Sequence, residues 1–341
     1  MTSPEQSPAH VPGSPRISIV VSFRNEEQSL PLLIKRLAAV FVPLPEDYEF
    51  IFVNDASTDS SLDVLLRERE RDKRITILNM TRQFGVFECM LAGLRSAAGD
   101  AVIFLDADLQ DPPEIIPEML SQWRRGADVV HTIRLRRNGE SAIKLFLTGL
   151  AYRIIRGLAR IDLPIEAGDF KLLSRRAAEH LLLLPESDPY LRGLAAWVGF
   201  SQAFVPYVRA PRLHGSSHFS PFNYYPWKTL ISGVTSFSFA PIYVIGFAGV
   251  LGLLVSLLAG LSIMAYGLTV DWPSGLILLG VACLLMWSTV MLAIGTIGLY
   301  VSRIYKDTRG RPRFIVRDAI GREISTTPGP TPGADIRQKI R

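Results

Sequence analysis

Asp106, Asp108 and Gln110 stand at alternate positions just after the apolar run of residues 101–105. On an extended or gently turning backbone such positions point the same way, so two carboxylates and a carboxamide would face one space. Hard oxygen ligands of this kind suit Mg2+ or Mn2+, ions that keep waters and take substrate phosphates as their remaining ligands. The competing reading is a solvated acidic turn capping the helix that Pro112-Pro113-Glu114 begins.

The elements around this segment alternate short apolar runs with helical periods. Residues 17–23, 50–53, 75–78, 101–105 and 128–133 read as strands. Asn25 with Gln28 resembles a capping box, after which Leu30, Leu33, Ile34, Leu37 and Phe41 form one apolar helix face. Phe87, Met90, Leu91 and Leu94 mark a further helix. This alternation predicts an α/β domain with a mainly parallel sheet and helices on both faces. Ligands of such sheets bind beyond the carboxyl ends of the strands. Arg24-Asn25-Glu26, Asp55 and the Asp106/Asp108 pair would then line one crevice.

Composition places that domain at a bilayer. The 341 residues carry a net charge of +5 and a mean hydropathy of +0.23, and the apolar excess is local. From Thr229 to Ser302 the only charged residue is Asp271. Two runs there, about 242–268 and 275–300, each exceed the ~20 apolar residues that span a bilayer. A buried helical hairpin is the alternative. The intervening loop 269–274 has no Lys or Arg, whereas Lys228 and then Arg303, Lys306, Arg309, Arg311 and Arg313 flank the pair. The positive-inside rule puts both chain ends of a multi-pass protein in the cytoplasm and the short loop outside. Basic residues facing anionic lipid explain the positive charge without a nucleic-acid partner. Cys89 and Cys283 form no disulfide framework, as fits a reducing compartment. Neither span holds an internal ionisable residue, which argues against an ion or proton transporter. Gly246, Gly249 and Gly252 offer a weak small-residue surface for a homo-oligomer.

Residues 1–15 read as a disordered leader rich in Pro, Ser and Gly, and 16–221 as the α/β domain. Within it Arg134, Arg136, Arg137 and Lys144 lead into residues 141–160, which mix arginines with large apolar side chains. That stretch reads either as an interfacial helix or as an amphipathic helix packed on the sheet. Phe222, Tyr224, Tyr225 and Trp227 make 222–240 a second interfacial segment; 241–302 holds the spans, and 303–341 is a basic tail, disordered at its end.

Five ordered segments carry a resemblance. They are Ser18-Ile19-Val20-Val21-Ser22-Phe23-Arg24-Asn25-Glu26-Glu27, Val53-Asn54-Asp55-Ala56-Ser57-Thr58-Asp59 and Asp106-Ala107-Asp108-Leu109-Gln110-Asp111-Pro112-Pro113-Glu114, then Ala167-Gly168-Asp169-Phe170-Lys171-Leu172-Leu173-Ser174-Arg175 and Arg212-Leu213-His214-Gly215-Ser216-Ser217-His218-Phe219. Across roughly residues 16–315 the chain resembles the polyprenyl-phosphate glycosyltransferases of glycosyltransferase family 2. That group contains dolichyl-phosphate mannose synthase and bacterial undecaprenyl-phosphate sugar transferases.

The resemblance implies a GT-A-type, Rossmann-like nucleotide-sugar domain whose Asp106, Asp108 and Gln110 hold Mg2+ or Mn2+ on the donor diphosphate. Phe23, Asn25, Glu26, Asp55, Asp106 and Arg212 would bind the donor, with Asp55 reading the base. The acceptor, a polyprenyl phosphate, is already an anion and needs arginine forks more than a base. Arg134 and Arg137 are the candidates for that grip, with Ser141 and Lys144 as lesser ones. Asp169 would orient the sugar or acceptor, or else form only a Gly-Asp-Phe turn. Asp108, Asp169, Arg134 and Arg137 are thus expected to carry the chemistry. Two positions depart from the family pattern: Asn54 stands where Asp is common, and His218 where Lys is frequent.

The expected reaction is a metal-dependent, inverting transfer of a hexose, glucose from UDP-glucose as the first choice, to undecaprenyl phosphate on the cytoplasmic leaflet. A processive polysaccharide synthase is the alternative of like chemistry, but the chain lacks a Gln-x-x-Arg-Trp motif and has few spans. A non-catalytic membrane scaffold or lipid carrier is the alternative from another class.

Overall fold

The computed structural model describes residues 16–137, 167–184, 186, 191–210, 240–267 and 275–321. Strands β1 (Arg16–Phe23), β2 (Asp47–Asn54), β3 (Ile75–Met80) and β4 (Ala101–Asp106) run parallel. They sit where the apolar runs predict strands, and β2 starts three residues earlier than the run at Phe50. The sheet continues through β5 (Val129–Arg137), β6 (Ala167–Ser174), β7 (Gln202–Arg209) and β8 (Val316–Ile320) in the order β7-β5-β6-β4-β1-β2-β3-β8. β6 is antiparallel to both neighbours, and β8 is antiparallel to β3.

Alternate strand residues feed two apolar layers, which is why β1 and β4 read as continuous apolar runs. Ile17, Ile19, Val21, Phe50 and Phe52 pack with α1 (Leu30–Phe41), α2 (Ser61–Arg71) and α4 (Ile116–Arg124). Val20, Ile51, Val53 and Phe104 pack with α3 (Val86–Ser96), α5 (Arg175–Leu183) and α6 (Leu191–Trp197). At the crossing of α3 over β1, a Cβ on Gly93 would lie 2.2 Å from Val20 Cγ1, so only glycine allows that approach.

The capping-box expectation is corrected. The residue ahead of α1 is Ser29, and the Asn25 side chain is spent on another loop, where its Oδ1 accepts from the Thr58 N–H at 2.8 Å. A cross-strand loop partner displaces the local cap.

After β7 come two long helices, α7 (Ala240–Gly267) and α8 (Gly275–Thr308). In α8 the window Met286–Thr308 is long and apolar enough to cross a membrane and is wholly unburied; in α7 the apolar stretch among the described residues is the shorter Ile242–Gly252. By length and composition the described residues therefore hold one such helix where the sequence pattern predicts two. Gly246, Gly249 and Gly252 face open space within the chain. β8, to which the sequence pattern assigns no element, rejoins the sheet beyond α8, with Phe314, Val316 and Ala319 against the second apolar layer. The leader 1–15, the stretches 141–160 and 222–239, and the tail beyond 321 lie outside the described residues.

Candidate active site

The sheet brings the ends of three parallel strands level. Register pairs Ser22 with Asp106 and Phe23 with Asn54, so the loops after β1, β2 and β4 leave from one edge. Each loop holds a non-glycine residue with positive φ: Asn25 at 55°, Ala56 at 53° and Leu109 at 59°. These are the only such residues among those described. Backbone strain that the surrounding fold must maintain marks sites where geometry is prescribed.

On the β1–β2 side the loops are tied to each other. Arg24 Nη1 donates to the carbonyls of Asp55 (2.7 Å) and Ala56 (3.2 Å), and the Asn25 N–H donates to Ser57 Oγ at 3.1 Å. The Glu26 N–H donates to Ser61 Oγ at 2.8 Å, and Glu26 Oε2 accepts from Ser29 Oγ at 2.8 Å. The Phe23 ring is buried edge-on against Phe52, while its carbonyl accepts from the Asp55 N–H at 3.0 Å. Phe23 thus shapes this corner through its backbone. The buried Asp55 carboxylate accepts from the Phe84 and Gly85 N–H groups at 2.7 and 3.1 Å and so fixes the entry to α3.

Beyond β4 the charges gather. Asp106 Oδ1 accepts from Ser22 Oγ at 3.3 Å, and Asp108 Oδ1 accepts from the Gln110 N–H at 3.2 Å. Burial, reinforced by the charges of Asp108, Asp169 and Asp111, pushes the Asp106 carboxyl up to about 8. Arg209 opposes that shift, with its Nη2 3.9 Å from Asp108 Oδ2. Gln110 reaches β7: its Nε2 donates to the Ala210 carbonyl at 3.4 Å, and its own carbonyl accepts from the Ala210 N–H at 3.0 Å. Asp111, wholly buried, takes a short hydrogen bond from the Tyr207 hydroxyl and one from Arg209 Nε at 3.3 Å. Arg134 Nε donates to the Tyr207 hydroxyl at 3.0 Å, and its Nη2 lies 3.7 Å from Asp111 Oδ2.

A second buried group lies across β5 and β6. Arg192 of α6 grips Asp169 with both arms, Nε to Oδ1 at 2.8 Å and Nη2 to Oδ2 at 2.6 Å. Burial opposes charge on Asp169, but Arg192, Lys171 and Arg134 together hold it below the usual carboxylate range. The Lys171 ammonium is fully buried and has no hydrogen-bond partner among the described residues. Burial outweighs the attraction of Asp169 and brings Lys171 down to about 8. His131, paired with Lys171 in register, is driven down to about 3 by burial and by that ammonium.

The structure therefore gathers Asp106, Asp108, Gln110, Asp169 and Arg134 of the expected set, with Asn25, Glu26 and Asp55 at the adjoining strand ends. Ser141, Lys144, Arg212 and the Arg137 side chain lie outside the described residues. Sequence reasoning passed over Asp111, Lys171, Arg192, Tyr207 and Arg209 as site residues. A signal existed for two of them: Lys171 interrupts an apolar strand, and Arg192 interrupts an apolar helix. Among the described residues no three His, Cys, Asp or Glu side chains are grouped as a metal cage. The donors present, two carboxylates under mutual repulsion, fit an ion that draws its other ligands from a bound phosphate and water.

Residues 18–182 match Glycosyl transferase family 2. The chain is 37% identical over 315 residues to the glycosyltransferase YkcC of Bacillus subtilis, covering 90% of this chain and 94% of that protein. It is 33% identical over 308 residues to the bactoprenol glucosyl transferase of Shigella phage SfV, covering 89% and 98%. Among solved structures, glucosyl-3-phosphoglycerate synthase of Mycobacterium tuberculosis in complex with Mn2+, UDP-glucose and phosphoglyceric acid is similar at a TM-score of 0.46 and 21% identity, over 65% of this chain and 79% of that one. The chain belongs to glycosyl transferase family 2 and is a glycosyltransferase.

Proposed function

We propose that the protein transfers glucose from UDP-glucose to a polyprenyl phosphate with inversion at the anomeric carbon. The observation that carries this reading is the interleaving of carboxylates and guanidiniums at one end of the sheet. Asp106, Asp108, Asp111 and Asp169 stand there with Arg134, Arg192 and Arg209 among them. Relatives named bactoprenol glucosyl transferases, 33% identical over nearly their full length, support glucose as the group transferred and a polyprenyl lipid as the acceptor.

An acceptor phosphate oxygen attacks the anomeric carbon as the bond from that carbon to the donor diphosphate breaks. UDP leaves, and the product is a β-linked glucosyl polyprenyl phosphate. The acceptor is an anion before it reacts, so no proton has to be removed. Arg134, fixed by Tyr207 and Asp111, and Arg137 would hold the acceptor, with Ser141 and Lys144 beyond them. Asp169, kept ionised by Arg192, would orient the sugar. Asp55, Asn25, Glu26 and the corner built by Phe23 would hold the nucleoside, with Arg212 toward the diphosphate. Mg2+ or Mn2+ bound by Asp106, Asp108 and Gln110 would neutralise the charge developing on the diphosphate.

The topology of the sheet supports two membrane crossings. The chain leaves the sheet after β7 and re-enters it at β8, and both strands belong to one folded layer. Strands of one sheet cannot lie on opposite sides of a bilayer, so the crossings between them must be even in number. If α8 crosses, a second crossing lies between β7 and β8, α7 is the candidate for it, and the strands on either side share one side of the bilayer.

The test is transfer by purified full-length protein of labelled glucose from UDP-glucose to undecaprenyl phosphate, with and without EDTA. A single lipid-linked glucose formed only with divalent metal is expected. A growing polymer would favour a processive synthase. Absence of transfer from any nucleotide sugar would overturn the reading in favour of a scaffold.

A further inference from the structure

One row of side chains crosses the sheet from the strand beyond the membrane helices to the loop at the end of β2. Register places Asn54 of β2 beside Asn79 of β3, and Asn79 beside Asp318 of β8. The three are joined head to tail. Asn79 Nδ2 donates to Asp318 Oδ2 at 2.7 Å, and Asn54 Nδ2 donates to Asn79 Oδ1 at 3.1 Å. Asn54 Oδ1 then accepts from the Ser57 N–H at 2.8 Å. Ser57 Oγ in turn accepts from the Asn25 N–H, so the row ends on the loops after both β1 and β2. Asn54 and Asn79 are buried, at 4% and 1% exposure, where a misdirected amide has no water to turn to.

We infer that Asn54, Asn79 and Asp318 are positioning residues that set the donor-binding loops, so that β8, the strand following α8, completes the nucleotide site. The inference rests on the reading above that these loops hold the nucleoside. It gives Asn54, the departure from the usual Asp, a physical reason. The relay has a direction, because Asp318 can only accept. Asn79 must present its amide N–H2 to Asp318 and its carbonyl oxygen to position 54, which must therefore donate. A carboxylate at 54 cannot donate. With Asp at 54, Asn79 faces an acceptor on each side and can serve only one.

Reversal of the whole row is the test. In the double variant Asn54→Asp with Asp318→Asn, Asn79 turns over, donates to the new carboxylate and accepts from the new amide, while the position-54 carboxylate still accepts from Ser57. UDP binding is measured by calorimetry on the full-length protein, with amide exchange at Ser57 read alongside. Asn54→Asp is expected to weaken UDP binding about tenfold, equivalent to ~1.4 kcal/mol, and to speed Ser57 exchange. Asp318→Asn alone stays near wild type, since an amide oxygen can accept the same bond. The double variant recovers to within about threefold of wild type, which is near half the energy of a tenfold change. UDP binding that is equally weak in Asn54→Asp and the double variant, or unchanged in Asn54→Asp, would overturn the relay. Restored Ser57 exchange in a protein that binds no UDP would instead overturn the nucleotide role of these loops.

Discussion

Arg192 closes on Asp169 through two parallel hydrogen bonds of 2.8 and 2.6 Å, and so fixes the one acidic side chain of β6. Removing one partner of a buried pair leaves the other charge uncompensated, at a cost of about 3–5 kcal/mol. Arg192→Met is therefore expected to lower stability by that order. It should also let burial raise the Asp169 carboxyl, because the opposing guanidinium is gone. Activity that needs the carboxylate would then fall on the acid side and recover as pH rises. A kcat/KM profile of Arg192→Met with an unshifted acid limb would remove Asp169 from the chemistry.

Lys171 supplies the pH dependence of stability. Its folded value is lowered to about 8 from 10.5. Below 8 both states carry the proton, and the folded state bears the full penalty of a buried ammonium. Between 8 and 10.5 only the unfolded chain holds the proton, so stability rises with pH across that window. Lys171→Met, similar in length and without charge, is expected to raise the Tm at pH 7, with the gap to wild type narrowing above pH 8. A gap independent of pH would show that the ammonium is not the cause.

The crowded carboxylates lead to a prediction about metal. Asp106→Asn and Asp108→Asn are each expected to lower kcat by about 10²–10³, the loss seen when one group stabilising developing charge is removed. Mn2+ titrated into the UDP-bound protein should bind in wild type and lose affinity in both variants. Activity abolished by EDTA should return with Mn2+ or Mg2+. Transfer that survives chelation would assign these carboxylates to another task.

The sequence made the parallel half of the sheet legible because β1 to β4 are buried on both faces, and continuous apolar runs such as Ala101 to Leu105 have few other uses. The carboxylates after β4 were legible for the same reason, since a polar pair ending such a run has a defined edge to occupy. Asp111, Tyr207 and Arg209 were hidden because Asp111 meets β7 only through the fold, 96 residues away at Tyr207 and 98 at Arg209. β8 was hidden because five residues of mixed polarity at a sheet edge, Val316–Ile320, carry no periodic signal. The Asn25 cap was misread because its partner, Thr58, is distant in sequence.

Gly168 gives a mild way to move Arg134. A Cβ at position 168 would lie 2.8 Å from Arg134 Nη2, closer than the guanidinium can tolerate without shifting. Gly168→Ala is expected to raise the KM for polyprenyl phosphate severalfold while leaving UDP affinity unchanged, because the donor loops after β1 and β2 are not touched. Equal effects on both substrates would separate Arg134 from the acceptor side.

The even number of crossings can be read in intact cells. Cys89 is buried, so Cys283→Ser leaves no accessible thiol, and single cysteines then report sidedness. Ser274→Cys tests the loop between the helices, and Arg311→Cys tests the exposed segment between α8 and β8. Because β7 and β8 share one sheet, a membrane-impermeant maleimide is expected to label position 274 from outside and position 311 only after lysis. Labelling of both from one side would mean that α7 and α8 lie on the bilayer without crossing it. The sheet would still be whole, since zero crossings satisfy the same parity, but the acceptor phosphate would have to be lifted to the crevice from the surface.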